Sequence, residues 1–404
     1  MSKKRSTGPK SVWKNVRKIQ EDDFQEIWNT IQSTGRNDPC WCDSGEKYKN
    51  CHLNRSQETP LRINDYIKVL RKIYDKGYCL HPQANPSICR GPIAKAHSVQ
   101  RNGGLSRIAH GGQVYTFASE KNISSVDLVA PTLVGTRKAS TFTGFCSFHD
   151  NIIFEPVEKF AFEHTPEHTF LLGYRALCHE YFKKKMIVEL IFPYQMRHLD
   201  KGRSQFEQMM IQYHLHYLRK TDRIALRDLA LNKAEYDEVL LAGDFSNVSY
   251  YVIRLSTTPD FLCSSSHIPD YDFTGKRTLQ NIWDTSIIAD HLNYSLIATD
   301  TGGAAVFSWL GKSEAAVQFV QSLDALPDHE IPHALTRFTF QYFENTFASP
   351  TWWDSLDAST QQSLLNRQRA GLPHLPNPTA ASLVDDGIRA VNWTVSSREN
   401  NLDL

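Results

Sequence analysis

The chain has 404 residues, of which 41% are hydrophobic and 11% aromatic, and its formal net charge at pH 7 is +1. The length predicts two or three domains, and the apolar content is enough for ordinary packed cores. A net charge this close to zero excludes a strong overall attraction to nucleic acid, and the lack of any run of about 18 apolar residues predicts no membrane span.

The first twenty residues are basic and contain no acid. Their cations are Lys3, Lys4, Arg5, Lys10, Lys14, Arg17 and Lys18. We expect a flexible, solvated tail over 1–20, with phosphate binding as the alternative. Because the chain opens with Met1-Ser2-Lys3-Lys4-Arg5 and not with an apolar signal sequence, we expect a cytoplasmic protein whose cysteines stay reduced.

Residues 21–78 are predicted to form a helical segment with a cysteine-rich run at its centre. Apolar residues recur at helical spacing on both sides of that run. They are Phe24, Ile27, Trp28 and Ile31 in the first helix, and Ile63, Ile67, Leu70 and Ile73 in the second. Gly35 and Gly77 follow the two patterns, which predicts that each helix ends there.

The run between these helices, residues 35–53, has three cysteines and a histidine with the spacing C-x-C-x8-C-H. They are Cys40, Cys42, Cys51 and His52. Three thiolates and one imidazole are a donor set that zinc takes in a tetrahedral structural site, and we expect the metal to supply folding energy on the order of 10 kcal/mol. The run resembles the SEC-C motif, the small zinc finger at the C-terminus of the bacterial secretion motor ATPase. That resemblance implies a zinc-binding module, which in the SEC-C family serves docking onto a partner.

Residues 79–160 contain a second group of metal-binding residue types. We assign its zinc ligands as Cys79, Cys89, Cys146 and His149. Two ligands near each end of a long insert suit a treble-clef-like zinc knuckle. The spacing also allows His81 to replace one of the four.

This second cluster resembles the zinc-reinforced core of HNH, or ββα-metal, nucleases. In that family a cysteine pair precedes a histidine at the start of a hairpin, and a second pair opens a helix. Ala96-His97-Ser98-Val99 would then stand at the catalytic histidine, and Asp150 would follow the second pair. The resemblance implies that His97 is the general base and that Asp150 binds a catalytic Mg²⁺ or Mn²⁺. The alternative is a structural knuckle in which His97 is a buried or hydrogen-bonded histidine.

The remainder of the chain predicts an α+β fold. We expect strands near 114–117 and 141–145, a polar linker at 154–158, a helical region over 161–245 and a mixed α+β region over 246–404. Within the helical region, separate helices are predicted over 206–217 and 222–241. In the last region a hairpin is predicted across Asp300-Thr301-Gly302-Gly303, and Cys263 is expected in a loop.

Two functions are consistent with these patterns, and no Gly-rich phosphate loop, G-x-S-x-G elbow or dinucleotide fingerprint adds a third. The first is a zinc-containing, metal-dependent HNH-like endonuclease acting on DNA or RNA. By resemblance, such bacterial proteins are often toxins or antiphage effectors. The alternative is a non-catalytic docking or adaptor protein that contacts a protein, a ribosome or nucleic acid through the finger or the C-terminal region. Both predict two structural zinc ions, and the first adds Mg²⁺ or Mn²⁺.

Overall fold

The computed structural model describes residues 21–118, 129–280, 286–370 and 378–402, so the tail predicted over 1–20 lies outside the described residues. The chain divides into two compact units. Unit 1 comprises residues 1–74 and 183–227, and unit 2 comprises residues 75–182 and 228–404. In the described ranges no helix is long and apolar enough to cross a bilayer.

The described residues form helices and antiparallel strands, which confirms the predicted α+β class. The helices are α1 (Glu21–Ser33), α2 (Ile63–Asp75), α3 (Ser106–Ile108), α4 (Ser147–Lys159), α5 (Pro166–Met186), α6 (Phe192–His198), α7 (Gln205–Ala242), α8 (Glu314–Asp324), α9 (Ile331–Tyr342), α10 (Pro350–Ser355) and α11 (Ala358–Ala370). The strands are β1 (Ala96–His97), β2 (Gln113–Ala118), β3 (Val129–Gly135), β4 (Thr141–Phe142), β5 (Val248–Leu255), β6 (Phe261–His267), β7 (Leu292–Thr299), β8 (Gly302–Leu310), β9 (Thr346–Ala348) and β10 (Val395–Asn400).

Unit 1 has a core in which the cysteine-rich run takes part. Ile31 of α1, Trp41 and Tyr48 of the run, and Met209 of α7 are buried together. The apolar face predicted for the first helix packs against this cluster through Phe24, Ile27 and Trp28. The run therefore shares a hydrophobic core with the helices of its own unit.

Unit 2 is organised around a sheet in which eight of the described strands pair antiparallel, in the order β10-β5-β8-β7-β6-β9-β2-β3. Side chains alternate between its faces. Tyr251 and Ile253 of β5 enter a core with α8, α9, α10 and α11, whereas Tyr250 and Val252 pack on the other face with Leu172 of α5. Because both faces are covered, the residues of the central strands are buried nearly throughout.

Three expectations about local structure are wrong. Residues 154–158 are not a linker but the end of α4, where Phe154 and Val157 are buried at helical spacing even though Pro156 lies inside the helix. Cys263 is not in a loop but is buried in β6, whose serines pair with β7. The helices predicted over 206–217 and 222–241 are one helix, α7, because no Gly or Pro interrupts the chain between them.

The hairpin predicted in the C-terminal region is confirmed, since β7 and β8 pair around Asp300 and Thr301. Gly302 begins β8 with φ +149°, and a Cβ there would lie 2.2 Å from the carbonyl oxygen of Leu255. We therefore expect Gly302→Ala to lower the free energy of unfolding by about 1–3 kcal/mol or more. Urea denaturation measures this change.

The matched control is Gly135→Ala at the end of β3, where a Cβ would meet nothing within 4 Å. We expect a change of about 0.5 kcal/mol or less for this surface-like substitution. Equal destabilisation by the two variants would contradict the close approach at Gly302.

Candidate metal centres

The four predicted ligands of the finger meet in unit 1. The ligand atoms of Cys40, Cys42, Cys51 and His52 all lie within 4.8 Å of one another. Nδ1 of His52 is 3.2 Å from the sulfurs of both Cys40 and Cys51, and the sulfurs of Cys42 and Cys51 are 3.5 Å apart. Thiolate sulfurs and an imidazole nitrogen gathered at this spacing fit a tetrahedral zinc ion.

A tight turn brings the two halves of this site together. The amide of Cys40 donates to the carbonyl of Glu46 at 2.8 Å, and Asp43 and Gly45 between them adopt positive φ. Such φ values suit Gly and are tolerated by Asp, which accounts for these residue types inside the run. A single 3₁₀ turn, Tyr48–Asn50, then presents Cys51 and His52 to the first pair.

The opposite side of His52 contacts a residue that the sequence analysis missed. Nε2 of His52 donates to Oδ2 of Asp200 at 2.8 Å, although the two residues are 148 positions apart. Asp200 lies in the turn after α6, outside any motif, so no spacing rule marks it. Arg55 also bonds to Asp200, at 2.6 Å through Nε.

The electrostatics of the finger favour positive charge at its centre. Burial alone would lower the pKa of His52, but the Asp200 carboxylate and the neighbouring thiols raise it to about 10. Hydrogen bonding among the thiols raises the pKa of Cys40 and lowers that of Cys51. A site that stabilises a proton on the imidazole in this way also stabilises a metal cation in its place.

The second predicted ligand set is gathered in unit 2. The ligand atoms of Cys79, Cys89, Cys146 and His149 lie within 4.8 Å of one another. Nδ1 of His149 is 3.2 Å from the sulfur of Cys146, 3.3 Å from that of Cys79 and 3.8 Å from that of Cys89. His81 does not join this group; its ring stacks on His149 with the centroids 3.9 Å apart.

Backbone pairing positions these ligands. The amides of Tyr78 and Leu80 donate to the carbonyls of Thr143 and Gly144, so Cys79 lies beside the segment that leads to Cys146. Cys146 immediately precedes α4, and His149 lies in the first turn of that helix. The four donors therefore tie the start of α4 to the chain around residues 79–89.

His97 lies on a short two-stranded sheet and is next to this cluster in the sequence. It is opposite Thr141 in the pairing of β1 with β4. Nδ1 of His97 is 3.2 Å from Oγ of Ser140, which itself donates to the carbonyl of Val99. Because the Ser140 hydroxyl donates its one proton to Val99, its oxygen is placed to accept from Nδ1–H of His97, and the backbone of Ala139 also bonds to the ring.

Asp150 lies in the first turn of α4, and its Oδ1 is buried without a hydrogen-bond partner. Burial raises the pKa of Asp150, while Arg175 lowers it and Glu158 raises it. Burial lowers the pKa of His97, on which Arg175 and Glu158 also act. The two predicted catalytic residues thus share the same charged neighbours.

Glu158 and Arg175 were missed by the sequence analysis. They form an ion pair of 2.6 Å, and the Arg175 guanidinium lies 3.9 Å from the ring centroid of Phe154. Glu158 falls in the segment wrongly expected to be a linker, and Arg175 lies within α5 without a motif. Reading 154–158 as a helix with a buried face would have drawn attention to Glu158.

His97 and Asp150 do not form a third cluster of protein ligands. In the part of the chain that the structure describes, the groups of three or more His, Cys, Asp or Glu ligands within 4.8 Å are the two cysteine-containing clusters. Any catalytic Mg²⁺ or Mn²⁺ at Asp150 would therefore need ligands from water or substrate.

Comparison with known proteins bears on the finger alone. Residues 36–54 match the family model of the SEC-C motif. The SEC-C prediction is confirmed for this segment. A stretch of 36 residues is 53% identical to the protein translocase subunit SecA of Chloroflexus aggregans, covering 9% of this chain and 4% of that protein. No solved structure matches the chain.

The ligand assignment in unit 2 predicts how zinc content responds to substitution. We expect His149→Ala to bind one zinc ion fewer per chain than the wild type, because a closed site loses one of its four donors. His81→Ala should keep the wild-type content, since His81 contributes ring stacking and no ligand atom. Elemental analysis of the purified variants measures both, and zinc loss in His81→Ala would contradict the assignment.

Proposed function

We propose that unit 2 contains a metal-dependent nuclease centre in which His97 and Asp150 act on a phosphodiester. The supporting observation is that a two-stranded sheet and the helix that follows it carry the two residues. His97 lies on β1, paired with β4, and Asp150 lies in the first turn of α4, which follows β4 after a short connection. The charges of Glu158 and Arg175 act on the pKa of both residues. This combination of two paired strands, a ligand pair and a helix supports the resemblance to the ββα-metal nucleases.

In this proposal the cluster of Cys79, Cys89, Cys146 and His149 has a structural role. Cys146 and His149 flank the start of α4, and Asp150 is the next residue. A zinc ion bound by these four would hold the first turn of α4 in one orientation. It would thereby fix the direction in which the Asp150 carboxylate points.

His97 has the properties of a general base. In this proposal Nδ1–H donates to Ser140, and Nε2 accepts a proton from water. Burial holds the pKa of His97 below its ordinary value, so the imidazole is neutral at pH 7. A positioned neutral imidazole contributes typically 10²–10⁴-fold to the rate of such a proton transfer.

Asp150 has the properties of a ligand for a hard divalent cation. Its buried Oδ1 lacks a partner within the protein, and Arg175 opposes the tendency of burial to neutralise the carboxyl. Mg²⁺ is commonly held by one or two carboxylates together with waters and substrate phosphates, which agrees with the small number of protein ligands here. When bound, such an ion polarises the phosphate and stabilises developing negative charge.

The loop after His97 supports a phosphate substrate. Arg101 begins a π-helical turn, Arg101–Leu105, that contains Gly103 and Gly104, and its charge acts on His97. Arg101 bonds to Asn102 and not to an acid, so its positive charge is not neutralised by that contact. A cation beside the general base suits the backbone of nucleic acid.

The docking alternative has less support. Trp41 and Tyr48, the large apolar side chains of the finger, are buried in the core of unit 1. A partner would therefore meet the polar rim of the finger, which includes Ser44 and Lys49.

We expect His97→Ala and Asp150→Asn to lose nucleic-acid cleavage while retaining two zinc ions per chain, because neither residue belongs to a cysteine cluster. For His97→Ala the loss should be about 10²–10⁴-fold. The assay presents plasmid DNA, linear DNA and total RNA to the full chain with Mg²⁺ or Mn²⁺. Elemental analysis checks the zinc content of each variant.

The matched control is His110→Ala, an exposed histidine of unit 2 that precedes β2 and should cleave as the wild type does. Cleavage that survives in His97→Ala would contradict the catalytic assignment. If no wild-type preparation cleaves any substrate, the docking alternative becomes the better account.

The lowered pKa of His97 also predicts the pH dependence of cleavage. A general base is active when deprotonated, so the rate should rise as pH increases through a value below 6.5 and level off above it. The residual rate of His97→Ala should lack this inflection. A rate that falls as pH rises through the same range would contradict the assignment of His97 as the base.

A further inference from the structure

Asp200 is a fully buried carboxylate whose partners converge on the finger. Its Oδ2 accepts from Nε2 of His52 at 2.8 Å and from Nε2 of Gln212 at 2.7 Å, and its Oδ1 accepts from Nε of Arg55 at 2.6 Å. The exposed fraction of its side chain is 0%. Burying a carboxylate is costly unless donors replace its water, and here three side chains do so.

The bond to Asp200 determines which nitrogen of His52 can bind metal. Neutral imidazole has one N–H, and Asp200 places it on Nε2. Nδ1 then directs its lone pair toward the sulfurs of Cys40 and Cys51, each 3.2 Å away. Histidine ligands of zinc are commonly oriented by a carboxylate in this way.

We propose that Asp200 is a positioning residue of the finger's zinc site, and that zinc binding by the finger fixes residues 196–212 against it. The site thus comprises four ligands from residues 40–52 and an outer carboxylate contributed from 148 positions away. The arrangement of residues 196–212 then depends on metal binding by the finger and not on the finger's polypeptide alone.

Arg55 strengthens the same connection. Its Nη2 donates to the carbonyls of Met196 and Arg197, and its own carbonyl accepts from the amide of Gly202. Arg55 therefore contacts the end of α6, the following turn and Asp200 at once. Its Nη1 lies 3.9 Å from the sulfur of Cys51, so the same cation also faces a ligand of the metal.

The charged groups around the finger offset one another in part. A zinc ion with three thiolates and a neutral imidazole has one net negative charge, and Asp200 adds another. Arg55 supplies a positive charge between the two. Removing the metal leaves the three thiols and the imidazole without the ion that they share.

The first experiment compares zinc affinity in Asp200→Asn and wild type, using the full chain and competition with a chromophoric chelator. Asparagine replaces one of the two acceptor oxygens of Asp200 with an NH₂ group, which cannot accept from His52, Gln212 or Arg55. We therefore expect zinc binding at the finger to weaken about 10–100-fold. The zinc of unit 2 should be unaffected and serves as an internal reference. Wild-type affinity at the finger in Asp200→Asn would overturn the proposal.

The matched control is Asp65→Asn, which changes a half-exposed carboxylate of α2 that pairs with the exposed side chains of Arg62 and Lys68. We expect its zinc affinity to stay within about twofold of the wild type, because surface pairs contribute little. An equal loss in both variants would show a general effect of charge and would overturn the role of Asp200.

A second experiment decides the question if Asp200→Asn fails to fold. Hydrogen exchange is measured on Cys42→Ser, which removes one finger ligand and leaves the ligands of unit 2 in place. We expect amides in 196–212, including that of Gly202, to lose protection together with those of 40–55. Retention of wild-type protection in 196–212 while 40–55 exchanges freely would overturn the proposal.

Discussion

Both centres depend on the same electrostatic constraint: three thiol sulfurs and an imidazole nitrogen held within 4.8 Å of one another need a cation among them. Without one, hydrogen bonding among the thiols raises the pKa of Cys40 and lowers that of Cys51. Zinc satisfies all four donors and links chain segments that carry few apolar residues. In unit 1 a bound zinc ion would join the cysteine-rich run to the helical core, and in unit 2 it would hold the start of α4.

The two ligand sets were predictable to different degrees because their spacing differs. In the finger all four ligands fall within thirteen positions, so a local turn at Asp43 to Gly45 suffices to gather them. In unit 2 a long insert separates Cys89 from Cys146, and the sequence left His81 as an alternative. His81 stacks on the ring of His149 and does not join the ligands. Ring stacking cannot be predicted from the spacing of residues in the sequence.

Residues that act on the ligands from outside were not predictable, because each reaches its partner through tertiary folding. Asp200 lies in a turn after α6, and nothing nearby in the sequence identifies it as a metal-site residue. Glu158 was missed because residues 154–158 were expected to be a polar linker, whereas burial of Phe154 and Val157 stabilises a helix there. Strand β2 was expected in the right place, but its pairing with β9, more than 200 residues later, depends on packing between distant segments.

The pairing of β2 with β9 is relevant to the two-stranded sheet of β1 and β4, which carries His97. The insert between β1 and β4 contains β2 and β3, which extend the large sheet, and Val99 and Leu105 pack beside Leu262 of β6. Next to His97, the hydroxyl of Ser98 accepts from Asn345, whose amide also donates to the carbonyl of Ser264. His97 is thus held by the sheet on one side, while Asp150 is held by the zinc ligands on the other. A centre whose base and metal ligand rest on separate rigid supports needs little rearrangement to act, which is a requirement of catalysis by positioning.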